Sequence, residues 1–263
     1  MNNYICNLQP SPLDSRDIML ESVYPDNVQL PEILDLRNQL TPIRDQGSQG
    51  TCSAQTAACI KEWQENVNIH FNNYMSPQFI YNLRNNHDSS GMNPHDTMEI
   101  LYKIGIVPEY DYPYNSMSSI SNELKNQAKR YKIQGYAKVN TIESLKKALF
   151  ANGPCYIAFP VYNTDKMDFW NPDYKGQNMI GGHATTVVGY NKNSFIIRNS
   201  WSSNWGDKGY TYFPFNQWGM HWECWTSIDE DSNQNNITHK VESNLTEKRN
   251  LFRKIFNFKL KRR

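Results

Sequence analysis

The sequence has no long apolar run, and this absence limits the classes of protein to which it can belong. None of its apolar stretches approaches the ~20 residues that a membrane-spanning helix requires. The segment from Met1 to Asn7 has neither the basic nor the apolar region of a secretory signal. We therefore expect a chain without a signal peptide and without a transmembrane segment.

The chain also has no marked excess of positive or negative charge. The 263 residues carry a formal net charge of +1, which gives no overall attraction to nucleic acid or to acidic substrates. Apolar residues make up 38% of the chain, and it contains 16 Tyr, 11 Phe and 7 Trp. This composition is typical of a globular protein, and the length suits one large domain or two lobes that share a core.

The cysteines do not follow the patterns of disulfide-rich or zinc-binding proteins. They are odd in number and widely spaced, and no CxxC motif occurs. We therefore expect a reducing intracellular compartment and no structural disulfide. Four cysteines are interpreted as structural or incidental, namely Cys6, Cys59, Cys155 and Cys224. We predict no metal and no cofactor, because ligand spacing is absent around His70, His87, His95, His221 and His239.

The hydrophobic pattern of the first half is mainly helical. Apolar residues recur at three- and four-residue steps from Cys52 and predict a helix that ends near Asn72. Ser76-Pro77 and Asn93-Pro94 each combine a capping residue with a proline at the first helical position, so each predicts the start of another helix. A helical lobe is therefore predicted over about 45–135.

The second half changes to short runs rich in β-branched and aromatic residues. After a helix predicted over about 141–151, these runs predict strands over 156–161, 185–190, 194–198 and 210–215. A helical part followed by an antiparallel β lobe, over about 136–228, is an α+β arrangement.

Composition changes again at both ends of this region. Residues 1–32 are predicted to form a leader arm, which could cover a cleft through its Pro10 to Asp17 segment or lie along the surface, the interpretation we favour. Residues 229–263 form a polar and then basic tail, with no acidic residue from Lys248 to Arg263. Such a tail could contact an anionic membrane or nucleic acid, but solvated disorder is the usual outcome.

Cys52 lies at a position in the sequence that favours an activated, nucleophilic thiol. It follows a glycine-containing turn and begins a predicted helix, and a helix N-terminus together with an imidazolium lowers the pKa of a thiol. Gly47 and Gly50 permit the backbone bends and the close approach of a substrate. The amide of Gln46, across the bend, could point at a developing oxyanion together with the backbone N–H of Cys52.

His183 and Asn199 are predicted to meet on neighbouring strands. A polar turn at 191–193 suggests a hairpin. If Tyr190 pairs with Ser194 and the pairing continues along both strands, His183 lies opposite a position of the neighbouring strand that is within two residues of Asn199. A side-chain amide beside an imidazole fixes the orientation of the ring, which a proton-transferring histidine requires.

These motifs together resemble the papain family of cysteine peptidases over roughly Leu34 to Ile228. The resemblance rests on Gln46-Gly-Ser-x-Gly-x-Cys52, on His183, and on Asn199-Ser-Trp-x-x-x-Trp-Gly. It implies a two-lobe fold with a helical lobe, a β-barrel-like lobe and an active-site cleft between them, within a peptidase domain over 33–228. Because no long helical pro-domain is recognised, the chain resembles the disulfide-poor, short-leader branch of the family found in bacteria and large DNA viruses. This resemblance favours a location in the cytoplasm or the virion.

The resemblance also implies a role for each matching residue in the hydrolysis of peptide or protein substrates. Cys52 would be the nucleophile, His183 the acid and base, and Asn199 the residue that orients it. Gln46 would complete the oxyanion hole, and Trp201 would shield the His–Asn contact and line the leaving-group side. The expected substrate-binding residues are Gly91, Met92, Gly182 and Trp201.

Two departures from the family pattern keep other functions open. Gln49 replaces a cysteine, which removes a disulfide, and Ser53 replaces an aromatic residue, which puts the packing at the start of the helix in doubt. One alternative is a catalytically silent scaffold that acts through its basic tail. The other is an amidase or a transglutaminase-like acyl transferase, although such enzymes usually complete their triads with Asp or a second His rather than with a residue like Asn199.

Overall fold

A computed structural model describes residues 4–22, 29–173 and 176–229. The fold is α+β, as the sequence predicts, and the basic tail lies outside the described residues. The helices are α1 (Cys52–Ile69), α2 (Pro77–Asn82), α3 (Pro94–Lys103), α4 (Asn122–Ala128) and α5 (Ile142–Asn152). The strands are β1 (Leu34–Asp35), β2 (Ile133–Lys138), β3 (Cys155–Val161), β4 (Gly181–Tyr190), β5 (Ser194–Arg198), β6 (Tyr210–Pro214) and β7 (Glu223–Asp229).

The helix starts follow the capping signals of the sequence. Ser76 Oγ accepts a hydrogen bond from Phe79 N at 3.1 Å and caps α2, while Asn93 Oδ1 accepts one from Asp96 N at 2.8 Å and caps α3. Both predicted N-caps are therefore confirmed. The first helix ends before Asn72, because His70 takes a left-handed backbone conformation with φ of 56°.

The strands form one antiparallel sheet, in the order β2–β7–β3–β4–β5–β6, with β1 paired to β4. Within the described residues the outer strands β2 and β6 do not pair with each other, so the sheet is open. The expectation of a barrel-like lobe is wrong in this respect. The physical reason is that β7 pairs with both β2 and β3 and thereby extends the sheet sideways rather than closing it.

Two hydrophobic clusters cover the two faces of this sheet. Along β3, Ile157 and Phe159 belong to the cluster that includes α5, whereas Tyr156 and Ala158 belong to the cluster that includes α1. This alternation follows from the two-residue period of a strand. Every residue of β3 is buried, because both faces of the strand are covered.

Helix α1 is the central helix of the molecule and carries Cys52 at its first position. It is buried continuously from Cys52 to Glu65, including its polar side chains. The ammonium group of Lys61, for example, lies 2.6 Å from a Glu65 oxygen and 2.8 Å from an Asp229 oxygen. Such pairing satisfies the charges that the surrounding core would otherwise leave unsolvated.

None of the described helices combines the length and the apolar character needed to cross a bilayer.

Candidate active site

The turn that precedes α1 is fixed by short-range bonds. Asp45 Oδ1 accepts a hydrogen bond from Gly47 N at 2.9 Å, and Gly47 has φ of 58°, a conformation that favours glycine. Gln46 N donates to Ser200 O at 2.9 Å. The turn before Cys52 is thereby joined directly to the loop that follows β5.

The β4–β5 hairpin brings His183 and Asn199 together, although its register differs from the predicted one near the turn. Tyr190 lies opposite Phe195 rather than Ser194, a shift of one residue. An irregularity between Val187 and Gly189 removes this shift. The predicted register therefore holds again where the strands approach His183.

His183 and Asn199 form a direct, buried contact. Asn199 Oδ1 lies 2.8 Å from His183 Nε2 and also accepts a hydrogen bond from Ser200 N at 2.7 Å. Because a backbone N–H can only donate, the atom that it meets is the amide oxygen, which fixes the orientation of the Asn199 side chain. His183 Nε2 is then the protonated nitrogen and Nδ1 the basic one.

Trp201 covers this contact, as the family resemblance implies. Its ring stacks on the His183 ring with centroids 4.2 Å apart. Phe169 contacts both rings from the side, with centroids 5.6 Å from His183 and 5.4 Å from Trp201. Phe169 was not among the predicted site residues, because it stands in a segment without a recognisable motif.

Cys52 lies beside the strand that carries His183. The side chain is 1% exposed, and burial raises the pKa of its thiol to about 11, against the opposing effect of nearby backbone N–H groups, first among them that of Ala184. Burial likewise lowers the pKa of His183 to about 4, against the opposing effect of the hydrogen bond that His183 donates to Asn199. At neutral pH the described form therefore holds a neutral thiol and a neutral imidazole.

Ser53 is well packed despite replacing the aromatic residue of the family pattern. Its hydroxyl lies 2.6 Å from Thr97 Oγ1 and 2.6 Å from the hydroxyl of Tyr156, and it is fully buried. An aromatic ring from β3 thus fills the space beside the helix start. The doubt about packing at this position is resolved by a residue more than a hundred positions away in the sequence.

Gln46 lies beside the site, but its amide does not point into an open cleft. Its Nε2 donates to Gln49 O at 3.0 Å and to Ile5 O at 3.4 Å, and its Oε1 accepts a hydrogen bond from Ser200 Oγ at 2.8 Å. One of the acceptors of this amide therefore belongs to the N-terminal arm.

The arm occupies the cleft through the segment from Tyr4 to Gln9, which we call the arm segment. The Tyr4 ring stacks on Trp201 with centroids 4.6 Å apart. Further along, Gly182 N donates to Cys6 O at 3.2 Å, Leu8 N donates to Gly182 O at 3.1 Å, and Gln9 N donates to Met92 O at 3.0 Å. The Leu8 side chain is 1% exposed and packs in the same cluster as Cys52.

The arm segment therefore contacts all four residues expected to bind substrate. A Cβ added at Gly91 would collide with the carbonyl oxygen of Asn7, so glycine is required for this close approach. Gly182 and Met92 bond to the arm backbone, and Trp201 holds its first ring. The part of the leader proposed to cover the cleft, Pro10 to Asp17, is not the part that enters it.

The residues after the arm segment run along the outside of the domain. Ser11 N donates to Glu223 Oε1 at 2.7 Å, and the carboxylate of Asp17 lies 3.5 Å from His95 Nε2. Ligand atoms of Asp14, Asp17 and His95 lie within 4.8 Å of one another and could hold a metal ion. We assign no metal to them, because Asp14 already forms an ion pair with Arg16.

Comparisons with known sequences agree with the motifs. A profile described as papain family cysteine protease matches residues 30–244. Zingipain-2 of Zingiber officinale is 32% identical over 193 residues, which cover 69% of this chain and 86% of the relative. A peptidase C1-like protein of Acanthamoeba polyphaga mimivirus is 30% identical over 212 residues, or 71% of this chain and 68% of the relative. Cysteine proteinase 3 of Entamoeba histolytica is 27% identical over 68% of this chain, which spans only 61% of that relative.

Solved structures show the same fold. Xylellain, a cysteine protease from Xylella fastidiosa, superposes with a TM-score of 0.71 at 26% identity and covers 86% of this chain and 96% of its own. The bromelain protease from Ananas comosus has a TM-score of 0.62 at 20% identity, and it covers 76% of this chain and 100% of its own. At that identity the second likeness concerns the fold alone.

Proposed function

The chain belongs to the papain family of cysteine proteases, and from this premise we propose that it hydrolyses peptide bonds with Cys52, His183 and Asn199 as its catalytic triad. The observation that carries the proposal is the 2.8 Å contact between His183 Nε2 and Asn199 Oδ1, beside the N-terminus of the helix that Cys52 begins. Among the described residues His183 Nδ1 has no hydrogen-bond partner, so this nitrogen is left to act as the base for the Cys52 thiol.

The reaction proceeds in two steps. In the first, the Cys52 thiolate attacks the peptide carbonyl, and protonated His183 gives its proton to the leaving amine as the C–N bond breaks. In the second, neutral His183 removes a proton from water, which attacks the acyl-enzyme thioester and releases the acid. Asn199 holds the imidazole orientation throughout both steps.

The oxyanion is stabilised by the Cys52 backbone N–H and by the side-chain amide of Gln46. Such donors contribute about 3 kcal/mol each to transition-state stabilisation. In the described form this amide bonds to Gln49 O and Ile5 O. Withdrawal of the arm segment removes the second of these acceptors and turns the amide toward a substrate.

The described form is a resting form of the enzyme. The arm segment fills the cleft beside Cys52, and burial keeps the thiol in its neutral, non-nucleophilic state. The arm also runs against the direction of a substrate: its N-terminal end lies at Trp201, on the leaving-group side, where a substrate places its C-terminal half. This reversed direction prevents the alignment that cleavage requires.

The proposal is tested by thiol labelling and by turnover. We expect an epoxysuccinyl reagent to modify one cysteine, identified as Cys52 by peptide mass spectrometry, and a panel of fluorogenic peptides to be hydrolysed. Cys52→Ala should lose the label, and kcat/KM should fall by roughly four orders of magnitude or more. The control is Cys155→Ala, which alters another buried thiol, on β3, and should keep both properties.

Each alternative function corresponds to a different outcome. A silent scaffold would hydrolyse no peptide even in a variant whose arm is weakened. An amidase or a transglutaminase-like enzyme would label at Cys52 but act on non-peptide amides in preference to the peptide panel. Labelling at a cysteine other than Cys52, with turnover intact in Cys52→Ala, would contradict the proposed triad.

A further inference from the structure

A small cavity is lined by Asn199 but not by its partner His183. Its lining comes from four segments and includes the polar residues Arg44 before the active-site turn, Gln55 in the first turn of α1, and Thr185 on β4. The space open to the centre of a water molecule measures about 10 Å³. This is close to the smallest volume that holds one water.

Four side-chain atoms of these residues are shielded from solvent and have no hydrogen-bond partner among the described residues. They are Arg44 Nε, Gln55 Oε1, Thr185 Oγ1 and Asn199 Nδ2. Three of the side chains are buried, with Gln55 4%, Thr185 1% and Asn199 2% exposed, and the side chain of Arg44 is 12% exposed. Buried polar groups in native proteins are rarely left without partners, so four such atoms around one cavity point to a bound molecule.

The hydrogen-bonding capacities of the four atoms match those of one water molecule. Arg44 Nε and Asn199 Nδ2 can only donate, and Gln55 Oε1 can only accept. The Thr185 hydroxyl can accept as well. A water molecule accepts two hydrogen bonds and donates two, so these four atoms would satisfy it completely.

We propose that one buried water occupies this cavity and positions the Asn199 amide, with Gln55 and Thr185 as positioning residues for catalysis. The amide is then held at both ends. Ser200 N bonds its oxygen at 2.7 Å, and the water accepts from its nitrogen. A fixed amide keeps Oδ1 on His183 Nε2 and leaves Nδ1 free to take a proton. The catalytic part of this inference rests on the proposed peptidase function.

The water also joins the segments that carry the catalytic residues. Gln55 lies three residues after Cys52 on α1, and Thr185 lies two residues after His183 on β4. Both therefore move with the residue beside them. A shift of either segment would lengthen the bonds to the water and loosen the amide at Asn199.

The first test does not depend on activity. A crystal structure of the full chain at about 1.5 Å resolution should show a water peak in this cavity, within ~3.2 Å of at least three of the four atoms. An empty cavity, or one filled by a rearranged side chain, would overturn the inference. It would leave the proposed function standing.

The second test compares Thr185→Val with Thr185→Ser. Valine has nearly the same shape but no hydroxyl, so we expect kcat to fall about fivefold, equivalent to ~1 kcal/mol, with KM changed less than twofold. Serine keeps the hydroxyl and should restore most of kcat. Thr211→Val is the matched control, since Thr211 is equally buried but donates to Met167 O instead of facing the cavity.

The outcomes of the kinetic test are distinct. Equal kcat in wild type, Thr185→Val and Thr185→Ser would overturn the positioning role, as would an equal fall in Thr185→Val and Thr211→Val. If neither the wild type nor a variant whose arm segment is weakened hydrolyses any peptide, the proposed function fails, and the crystallographic test still decides whether the water is bound.

Discussion

Tyr156 shows how a single residue changes the meaning of a sequence departure. Ser53 follows Cys52, and its small side chain suggests an incompletely packed helix start. The ring of Tyr156 reaches that position from β3, and its hydroxyl lies 2.6 Å from Ser53 Oγ. The pair could not be predicted, because nothing in the local sequence of either residue indicates the other.

We expect Tyr156→Phe to lower the free energy of unfolding by about 1 kcal/mol, the usual net contribution of one hydrogen bond. The loss should stay modest because Ser53 Oγ keeps its contact with Thr97 Oγ1. Urea denaturation of the full chain measures it. Tyr212→Phe is the control, since its hydroxyl bonds to Asp207 at the surface, and it should change stability by less than about 0.5 kcal/mol. Equal stability of Tyr156→Phe and wild type would show that the buried contact contributes nothing.

Among the secondary-structure elements, the β4–β5 hairpin shows what periodicity can and cannot predict. The strands and their partnership follow from alternation and from the polar turn between them. The irregularity between Val187 and Gly189 does not follow from local sequence, and it lies where Gly189 closely approaches the backbone of Leu34 in β1, far away along the chain. The proximity of His183 and Asn199 was predicted because this irregularity restores the predicted register.

The arm segment is the element whose position was least accessible to prediction. Its sequence, from Tyr4 to Gln9, has no periodicity and no motif. Its place in the cleft depends on complementary surfaces far along the chain, at Met92, Gly182 and Trp201. The occupation of the cleft by the arm segment therefore becomes visible only when the tertiary structure is known.

We expect Leu8→Asp to release the arm segment and raise the initial rate of Cys52 labelling at least about tenfold, because it removes a buried apolar side chain and introduces a charge that the cleft cannot solvate. The matched control is Leu13→Asp, which makes the same change at a side chain of the same arm that is 98% exposed. Labelling kinetics of the full-length variants measure the effect. Equal rates in wild type and both variants would contradict a resting form held by the arm.

At the scale of the whole molecule, elements with local sequence signals were mostly predicted, and elements that depend on contacts between distant residues were missed. Helices α1, α2, α3 and α5 and strands β3 to β6 were predicted because their signals lie within a few residues, whereas α4 was missed although Ser121 caps it. Strands β2 and β7 were missed, since they pair across about ninety residues and neither is joined to its partner by a tight turn. The open sheet depends on these two strands, whereas the barrel-like lobe was implied by the family resemblance alone.

The burial of His183 has a consequence for the stability of the whole molecule. Its pKa lies near 4 in the folded chain, against an ordinary value of 6.5. Below pH 6.5 the unfolded chain binds a proton that the folded chain does not, so the free energy of unfolding falls as the pH decreases towards 4. This pKa difference corresponds to about 3 kcal/mol of folding stability, which is fully present above pH 6.5 and is lost progressively as the pH falls from 6.5 to about 4.

We expect His183→Phe to remove this part of the acid sensitivity. Phenylalanine is uncharged at every pH and keeps a ring for the stack on Trp201, whose centroid lies 4.2 Å from that of the histidine. Urea denaturation at pH 7 and at pH 4.5 gives the loss of stability on acidification for each protein, and the loss should be about 2–3 kcal/mol smaller in the variant. Protonation of surface carboxylates is common to both proteins and cancels in the comparison. An equal loss in both would mean that His183 titrates near its ordinary pKa in the folded chain, and hence that the arm segment does not hold the active site in a neutral, water-excluded state.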